Sequence, residues 1–382
     1  MIRPTDEAEL TEAILDAAQR GARLAITGGG SKADMGRPVE AETLSLAGLA
    51  GIVDYDPAEL VLTVRPGTPL AEVEALVASQ GQMLAFEPFD HGPLFGRAAG
   101  SATIGGVIAA GAAGSRRLSA GGARDHLLGI HAVSGRGQAF VAGAKVVKNV
   151  TGYDLPKLAT GSWGRLFALS ELTLKVLPRP PMAVTSAIAG LTTEQAVRAM
   201  AIAMGSQAEI AAAAHIPASL RDGPALTLFR IEGFAPSVKA RGEMLRTVLA
   251  AIAPVEPVDM PLAESIWRAL RTLDPLPADR PLWRINIPPS GAPGVVAALE
   301  PHGAAWLADW AGGLLWIGFA GDPVLVRDAA ARAGGHAMLV RAPAEMRAHI
   351  PAFHPQPAAL AALEERVRRA FDPLGLFETG RF

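Results

Sequence analysis

The sequence predicts an α+β fold in two parts, and three observations carry that prediction. A glycine-rich loop ends an early strand without opening a helix, strand-like and helical runs interleave across the second half, and a proline cluster separates the halves. The first observation argues against a doubly wound nucleotide-binding sheet. In such a βαβ unit a helix opens directly after the glycines. Here residues 32–42 contain Gly36 and Pro38 and show no helical period.

Taken in order, residues 5–21 read as a helix. Asp6 and Glu9 have capping-box spacing, Leu10, Ile14, Ala17 and Ala18 form an apolar stripe, and Gly21 can stop it. Residues 24–26 form a short buried strand that runs into Gly28-Gly29-Gly30. A strand at 60–64 precedes the turn Pro66-Gly67. Thr68 then stands as N-cap with Pro69 at the first helical position, and that helix runs to Gln80-Gly81. Residues 127–134 and 138–141 flank Gly135-Arg-Gly137 as a hairpin. Within 167–177, Leu172, Leu174 and Val176 alternate with Thr173 and Lys175, the pattern of a half-buried strand.

Pro178-Arg-Pro-Pro181 breaks regular structure, which places the domains at 1–180 and 181–357, with 358–382 a last helix and an ordered tail returning to the first domain. Beyond the break, strand-like runs at 183–189, 226–231, 282–287, 314–319 and 337–341 interleave with helical runs at 193–204, 237–253, 262–271 and 323–333. That order gives an α+β layer with an antiparallel sheet, or a duplicated βαβ unit.

Composition narrows the function. With 382 residues, half of them hydrophobic and 19% charged, the chain can bury a sizeable core and make two or three domains. The net charge of −2 and the lack of any long Lys/Arg run point away from nucleic acid. There is no cysteine, which excludes disulfides, thiolate catalysis and cysteine-held iron–sulfur clusters in this chain and fits a reducing cytoplasm. The first residues lack a signal-peptide apolar region, and the longest apolar stretches, such as 107–113, fall short of the ~20 residues of a membrane span. A cytoplasmic protein is expected, with docking to the inner face of the membrane through a complex left open. The eight histidines make no HxxxH or HExxH pattern, so no metal is expected. No Gly-x-Ser-x-Gly elbow supports a serine hydrolase.

Three glycine-rich loops carry the chemistry: Gly28-Gly29-Gly30-Ser31, Gly100-Ser101-Ala-Thr103-Ile104-Gly105-Gly106, and Gly161-Ser-Trp-Gly164. Glycine lets the backbone approach a ligand closely, and consecutive N–H groups form anion-binding concavities. A large phosphate-bearing cofactor, naturally a dinucleotide, suits three such loops. Ser31 adds a hydroxyl and Lys32 a charge. Thr103 as N-cap would aim the N–H groups of Gly105 and Gly106 at a phosphate or a flavin edge; a small-residue helix packed against a neighbour is the other reading. Lys145, Lys148, Asn149, Tyr153 and Asp154 gather before the third loop, as a solvated edge or as a pocket rim. His91, just before the second loop, is a satisfied loop histidine or faces the cofactor.

These segments, in this order, resemble the FAD-binding domain of the vanillyl-alcohol-oxidase/p-cresol-methylhydroxylase (PCMH-type) superfamily. More narrowly, the chain resembles the FAD-binding subunits of bacterial glycolate oxidases over nearly its whole length. The resemblance rests on Gly28-Gly-Gly-Ser-Lys32 with Gly36-Arg-Pro38, Gly51-Ile-Val-Asp-Tyr-Asp-Pro57, Gly67-Thr-Pro-Leu70, Gly81-Gln-Met83, Arg124-Asp125, Val147-Lys-Asn-Val-Thr-Gly-Tyr-Asp-Leu155 and Lys175-Val-Leu-Pro-Arg-Pro180. Later, Leu282-Trp-Arg284, Pro288-Pro289, Asp309-Trp310, Gly334-Gly-His336 and Phe371-Asp-Pro-Leu-Gly375 add to it.

The resemblance implies a PCMH-type domain of two α+β subdomains plus an α+β cap. It implies that Gly28, Gly29, Gly30, Ser31 and Lys32, with Gly100, Ser101, Thr103, Ile104, Gly105 and Gly106, hold the pyrophosphate and ribityl chain. Gly161 and Leu169 lie by the adenosine, and Gly111, Gly114, Asp125 and Asp154 complete the candidate cofactor set. Residues 27–36 contain no histidine for a covalent flavin link, so noncovalent FAD is expected. Related 2-hydroxy-acid dehydrogenases carry a Gly-Glu-His-Gly-type segment and a following lysine, where this chain has Gly334-Gly-His-Ala-Met-Leu-Val-Arg-Ala-Pro343. The tail Phe377-Glu-Thr-Gly-Arg381 likewise stands in place of an Asn-Pro-Gly-Lys-type ending. The implied partners are a homologous larger flavoprotein subunit, which could oxidise the small 2-hydroxy acid, and an iron–sulfur subunit. Were this chain to turn over substrate, Tyr153, Lys148, His336 and Arg341 are the candidate catalytic residues.

Overall fold

A computed structural model of the chain describes residues 1–144 and 152–382. They divide into two compact units, the first comprising Met1–Gly114, Gly121–Arg179 and Pro355–Phe382, the second Ser115–Ala120 and Pro180–His354.

The first unit begins with the helix Glu7–Arg20. The Asp6 carboxylate accepts the Glu9 N–H at 2.8 Å, and Gly21 ends the helix at φ 65°. Glu9 does not reach back to Asp6 as a capping box would; its carboxylate accepts from the Thr5 N–H and hydroxyl at 2.8 and 2.9 Å. The apolar stripe of this helix covers a parallel pair, Leu24–Thr27 beside Glu42–Ser45. Leu10, Ile14, Ala17, Leu24 and Leu44 share that core with Leu376 and Phe377, so the last residues of the chain are built into it.

The unit also holds a five-stranded antiparallel sheet, in the order Ile52–Asp56, Val61–Val64, Phe167–Lys175, Leu127–Ser134, Ala139–Gly143. The hairpin around Gly135–Gly137 is present as predicted. The strand Phe167–Lys175, expected to be half-buried, is covered on both faces, and the Thr173 and Thr63 hydroxyls meet at 3.3 Å. Thr68 does not cap the helix Leu70–Ser79, where Pro69 occupies the cap position. The Thr68 hydroxyl is fully buried; it donates to the Arg65 carbonyl at 2.7 Å and accepts the Gly51 N–H at 2.9 Å, tying the turn instead of the helix.

The second unit is an eight-stranded antiparallel sheet made of two βαββαβ repeats. The first runs Met182–Ala189, helix Thr193–Met204, Ala212–Ile216, Leu226–Gly233, helix Ala235–Leu249, Glu256–Val258. The second runs Leu282–Asn286, helix Ala292–Leu299, Ala305–Asp309, Leu314–Gly318, helix Pro323–Arg332, His336–Arg341. In each, the fourth strand lies beside the first, then the third, then the second, and the repeats join where His215 pairs with Ala308. Duplication is therefore present, with a larger repeat than βαβ. Trp283 and Ile285 point into a core under the helices with Phe229, Ile231 and Phe319, so alternation puts Arg284 and Asn286 on the opposite sheet face.

Candidate functional site

In the first unit the three glycine loops meet at a cavity holding about 830 Å³ of space, part of it open to solvent. Its walls come from residues 26–33, Leu46, Pro66, Thr103, Gly105, Gly106, Ala109, Ala110, residues 162–164, Phe167, Leu169, Arg381 and Phe382. The loops approach so closely that side chains would not fit. A Cβ on Gly28 would fall 2.2 Å from the Thr103 hydroxyl, and one on Gly29 only 1.8 Å from the Ser101 carbonyl. The third loop is tied alongside by Gly161 N–H to the Ile108 carbonyl at 3.1 Å and Trp163 N–H to the Ala109 carbonyl at 2.9 Å.

The N–H groups of Gly29, Gly30, Ser31 and Lys32 donate to no acceptor among the described residues. A run of such donors facing a cavity is a site for an anion. Lys32 adds to it: burial lowers its ammonium to about 8, partly offset by the charge of Asp90, and it donates to the Ser31 hydroxyl at 3.4 Å. An ammonium desolvated in this way gains most from a bound anion. The donors and the charge therefore fit a diphosphate.

The helix Ile104–Ala110 behaves differently from the sequence expectation. Thr103 does cap it, accepting from Gly106 N–H at 3.3 Å. That bond occupies the Gly106 N–H, while the Ile104 and Gly105 N–H groups donate to the Thr68 and Pro66 carbonyls at 3.0 and 2.9 Å. Thr103, Gly105 and Gly106 thus contribute shape to the cavity, and the free donors lie in the first loop. A Cβ at Gly105 would fall within 3.0 Å of Pro66, which is why a glycine stands there.

Of the remaining candidates, Leu169 lines the cavity, Ser101 meets it through the Gly29 contact, and Ile104 is core. Gly111 and Gly161 touch each other beside it. Gly100 donates its N–H to Asp90 at 2.7 Å, and Gly114 donates to the Phe86 carbonyl at 2.9 Å. Asp125 and Asp154 cap their own short helices, accepting from Gly122 and Lys157 N–H. His91 stacks on Phe89 with ring centres 4.2 Å apart. Tyr153 is 93% exposed, and Lys148 lies outside the described residues. His336 and Arg341 stand at opposite ends of one strand of the second unit, where the Arg341 guanidinium donates to the Pro277 and Arg280 carbonyls at 2.9 and 3.1 Å.

Sequence reasoning missed several contributors. Arg381 donates to the carbonyls of Met35 at 2.7 Å, Lys32 at 2.8 Å and Ala33, clamping the first loop from outside. Phe382 packs against Trp163 at 5.2 Å between ring centres, and both line the cavity. Asp90 fixes the second loop through Gly92 and Gly100. The Phe89-Asp-His-Gly run before the loop was the available signal for Asp90; nothing local marked the tail residues.

Among the described residues no group of three His, Asp or Glu side chains could hold a metal, and no helix is long and apolar enough to cross a membrane. Residues 1–143 match the FAD binding domain family. Glycolate oxidase subunit GlcD of Bacillus subtilis is 32% identical over 184 residues, 48% of this chain and 36% of that protein. The solved structure of p-cresol methylhydroxylase with bound substrate covers 99% of this chain and 87% of its own, with a TM-score of 0.72 at 13% identity, which shows the fold. Glycolate oxidase subunit GlcE of Escherichia coli is 35% identical over 386 aligned positions, all of this chain and 99% of that protein. A likeness that runs from end to end, over both units, means that the chain belongs to the GlcE family of glycolate oxidase subunits.

Proposed function

We propose that the chain is the FAD-binding subunit of a multisubunit glycolate (2-hydroxy-acid) oxidase. One observation carries this beyond kinship: four loop amides with no acceptor among the described residues, and a desolvated lysine, line the cavity that the glycine loops surround. Noncovalently bound FAD would supply the hydride acceptor for oxidation of the α-carbon of a 2-hydroxy acid.

The chain's own residues do the holding. Gly29, Gly30, Ser31 and Lys32 take the diphosphate charge, and Thr103 and Gly105 shape the wall beside it. Ile26, Leu169 and Trp163 supply the apolar surface of the cavity. In the second unit, partial burial and the nearby Arg284 charge hold His336 below its ordinary pKa, so its neutral imidazole can accept a proton at working pH. A homologous larger flavoprotein subunit and an iron–sulfur subunit complete the proposed complex, which lies in the cytoplasm or docks at the inner face of the membrane.

The test is to purify the chain with and without co-produced partners. We expect a yellow protein with one FAD per chain, and glycolate-dependent dye reduction that is strong only in the complex. A colourless chain that cannot be reconstituted with FAD would remove the cofactor assignment. Full activity without partners would remove the subunit assignment.

A further inference from the structure

The second unit carries, on the sheet face opposite its helices, a desolvated arginine with no counter-ion among the described residues. Elsewhere in this unit the buried or partly buried arginines have partners: Arg116 and Arg230 share the Glu232 carboxylate at 2.6 and 3.0 Å, and Arg327 donates to the Ala337 and Pro351 carbonyls. The Arg284 guanidinium makes no hydrogen bond or ion pair with any described residue. Its guanidinium lies over the Trp310 ring at 5.2 Å, and the Arg117 guanidinium lies over the same ring at 5.6 Å. Burial lowers Arg284 to about 10, and the like charge of Arg117 adds to the effect.

This arrangement is held in place by construction. Arg117 belongs to the short segment Ser115–Ala120, which is pinned to the unit by Ser115 hydroxyl to the Asp309 carboxylate at 2.7 Å and by Ser119 hydroxyl to the Ala211 carbonyl at 2.7 Å. Trp310 sits in a turn where it and Ala311 both take positive φ, 51° and 53°. Non-glycine residues adopt that backbone only when their surroundings impose it. The Asp309 carboxylate fixes the turn by accepting the Trp310 N–H at 2.7 Å. Beside Arg284 on the same face, Asn286 pairs in register with His336, and neither side chain has a hydrogen-bond partner among the described residues.

We propose that Arg284 and Arg117, on either side of Trp310, bind the carboxylate of a small carboxylic acid, with Asn286 and His336 placed for a neighbouring hydroxyl. Naming a 2-hydroxy acid rests on the function proposed above; the anion site itself does not. Two like charges held close, one without a counter-ion, gain most from an added anion, and a planar guanidinium matches a carboxylate in two-point contact. Neutral His336 can accept a hydroxyl hydrogen bond, which a plain carboxylate such as acetate would leave unused. The inference gives this chain, and not only a partner subunit, a place for the substrate class.

The experiment titrates glycolate, acetate and the uncharged glycolamide into the FAD-reconstituted full chain, following heat and tryptophan fluorescence. Wild type should bind glycolate saturably, more tightly than acetate and far more tightly than glycolamide. Arg284→Met, which keeps bulk against Trp310, should weaken glycolate roughly ten- to hundredfold, and Arg284→Lys should fall between. Arg117→Met makes the same comparison should Arg284→Met lose its fold by circular dichroism. Binding unchanged within twofold in a folded variant, glycolamide binding as tightly as glycolate, or no saturable glycolate binding by wild type would each overturn the proposal. Flavin content is read in the same samples, so a wild-type chain without FAD counts against the previous reading and is separable from the anion comparison.

Discussion

Gly29→Ala offers a sharp test of how the first loop is built. The added Cβ would lie 1.8 Å from the Ser101 carbonyl oxygen, and 3.0 Å from its carbon. Both obstacles are backbone, so no side chain can swing away. Restoring ordinary contact at about 3.4 Å means parting the two loops by roughly 1.6 Å, enough to carry adjacent amides beyond hydrogen-bond reach of an anion. Losing two charge-assisted bonds at about 1.5–3 kcal/mol each should weaken FAD about a hundred- to ten-thousandfold. Gly30→Ala is the internal comparison: nothing lies within 4 Å of its Cβ, but φ is +78°. Left-handed backbone costs an alanine about 1–2 kcal/mol, or roughly five- to thirtyfold. Flavin absorbance per chain and titration of the apoprotein measure both, with circular dichroism to confirm folding. Gly29→Ala within about threefold of wild type, or weaker in effect than Gly30→Ala, would refute the reasoning.

Three further outcomes are expected. Because Lys32 has its pKa lowered to about 8 before an anion arrives, and a bound diphosphate raises it again, FAD affinity should be greatest below that pH. It should decline by up to about tenfold per unit above it; FAD titrations across the alkaline range should show the slope in wild type and lose it in Lys32→Met. Arg381→Ala removes three contacts to first-loop carbonyls and should lower FAD affinity about tenfold, whereas undiminished flavin retention would mean the loop holds its own shape. Asp372→Ala strips the acceptor from the Leu376 and Phe377 N–H groups, at 3.0 and 2.8 Å, in a 4% exposed setting. Two stranded donors should cost about 2–5 kcal/mol, read as a lower urea midpoint, and a midpoint that does not move would contradict the bonds.

What the sequence revealed depended on where the deciding interactions lay. The helix Glu7–Arg20 was legible because its start and stop signals, Asp6 and Gly21, are local, and the helices Thr193–Met204 and Ala358–Phe371 fall where their patterns put them. Strand Ala212–Ile216 was invisible: its Ala-Ala-Ala-His-Ile run has poor intrinsic β preference, and pairing with Leu226–Gly233 imposes the conformation. Ala305–Asp309 and Glu42–Ser45 were missed for a different reason, being too short to show a period. The glycine loops announced a cavity, yet which N–H groups stay unpaired depended on Pro66 and Thr68, distant in sequence from the Gly105 and Ile104 amides they accept. In the sequence Arg284 stood out only as part of the Leu282-Trp-Arg284 resemblance segment; three-dimensional neighbours were needed to expose its lack of a counter-ion among the described residues.

The clasp of Arg381 on the Lys32–Met35 segment bridges almost 350 positions of sequence. A ribosome delivers residue 32 long before residue 381, and early parts of a chain begin to fold as they emerge. Maturation must then be a late event: the core under the first helix takes in Leu376 and Phe377, and the nucleotide cradle gains its final brace only after the whole second unit has been synthesised.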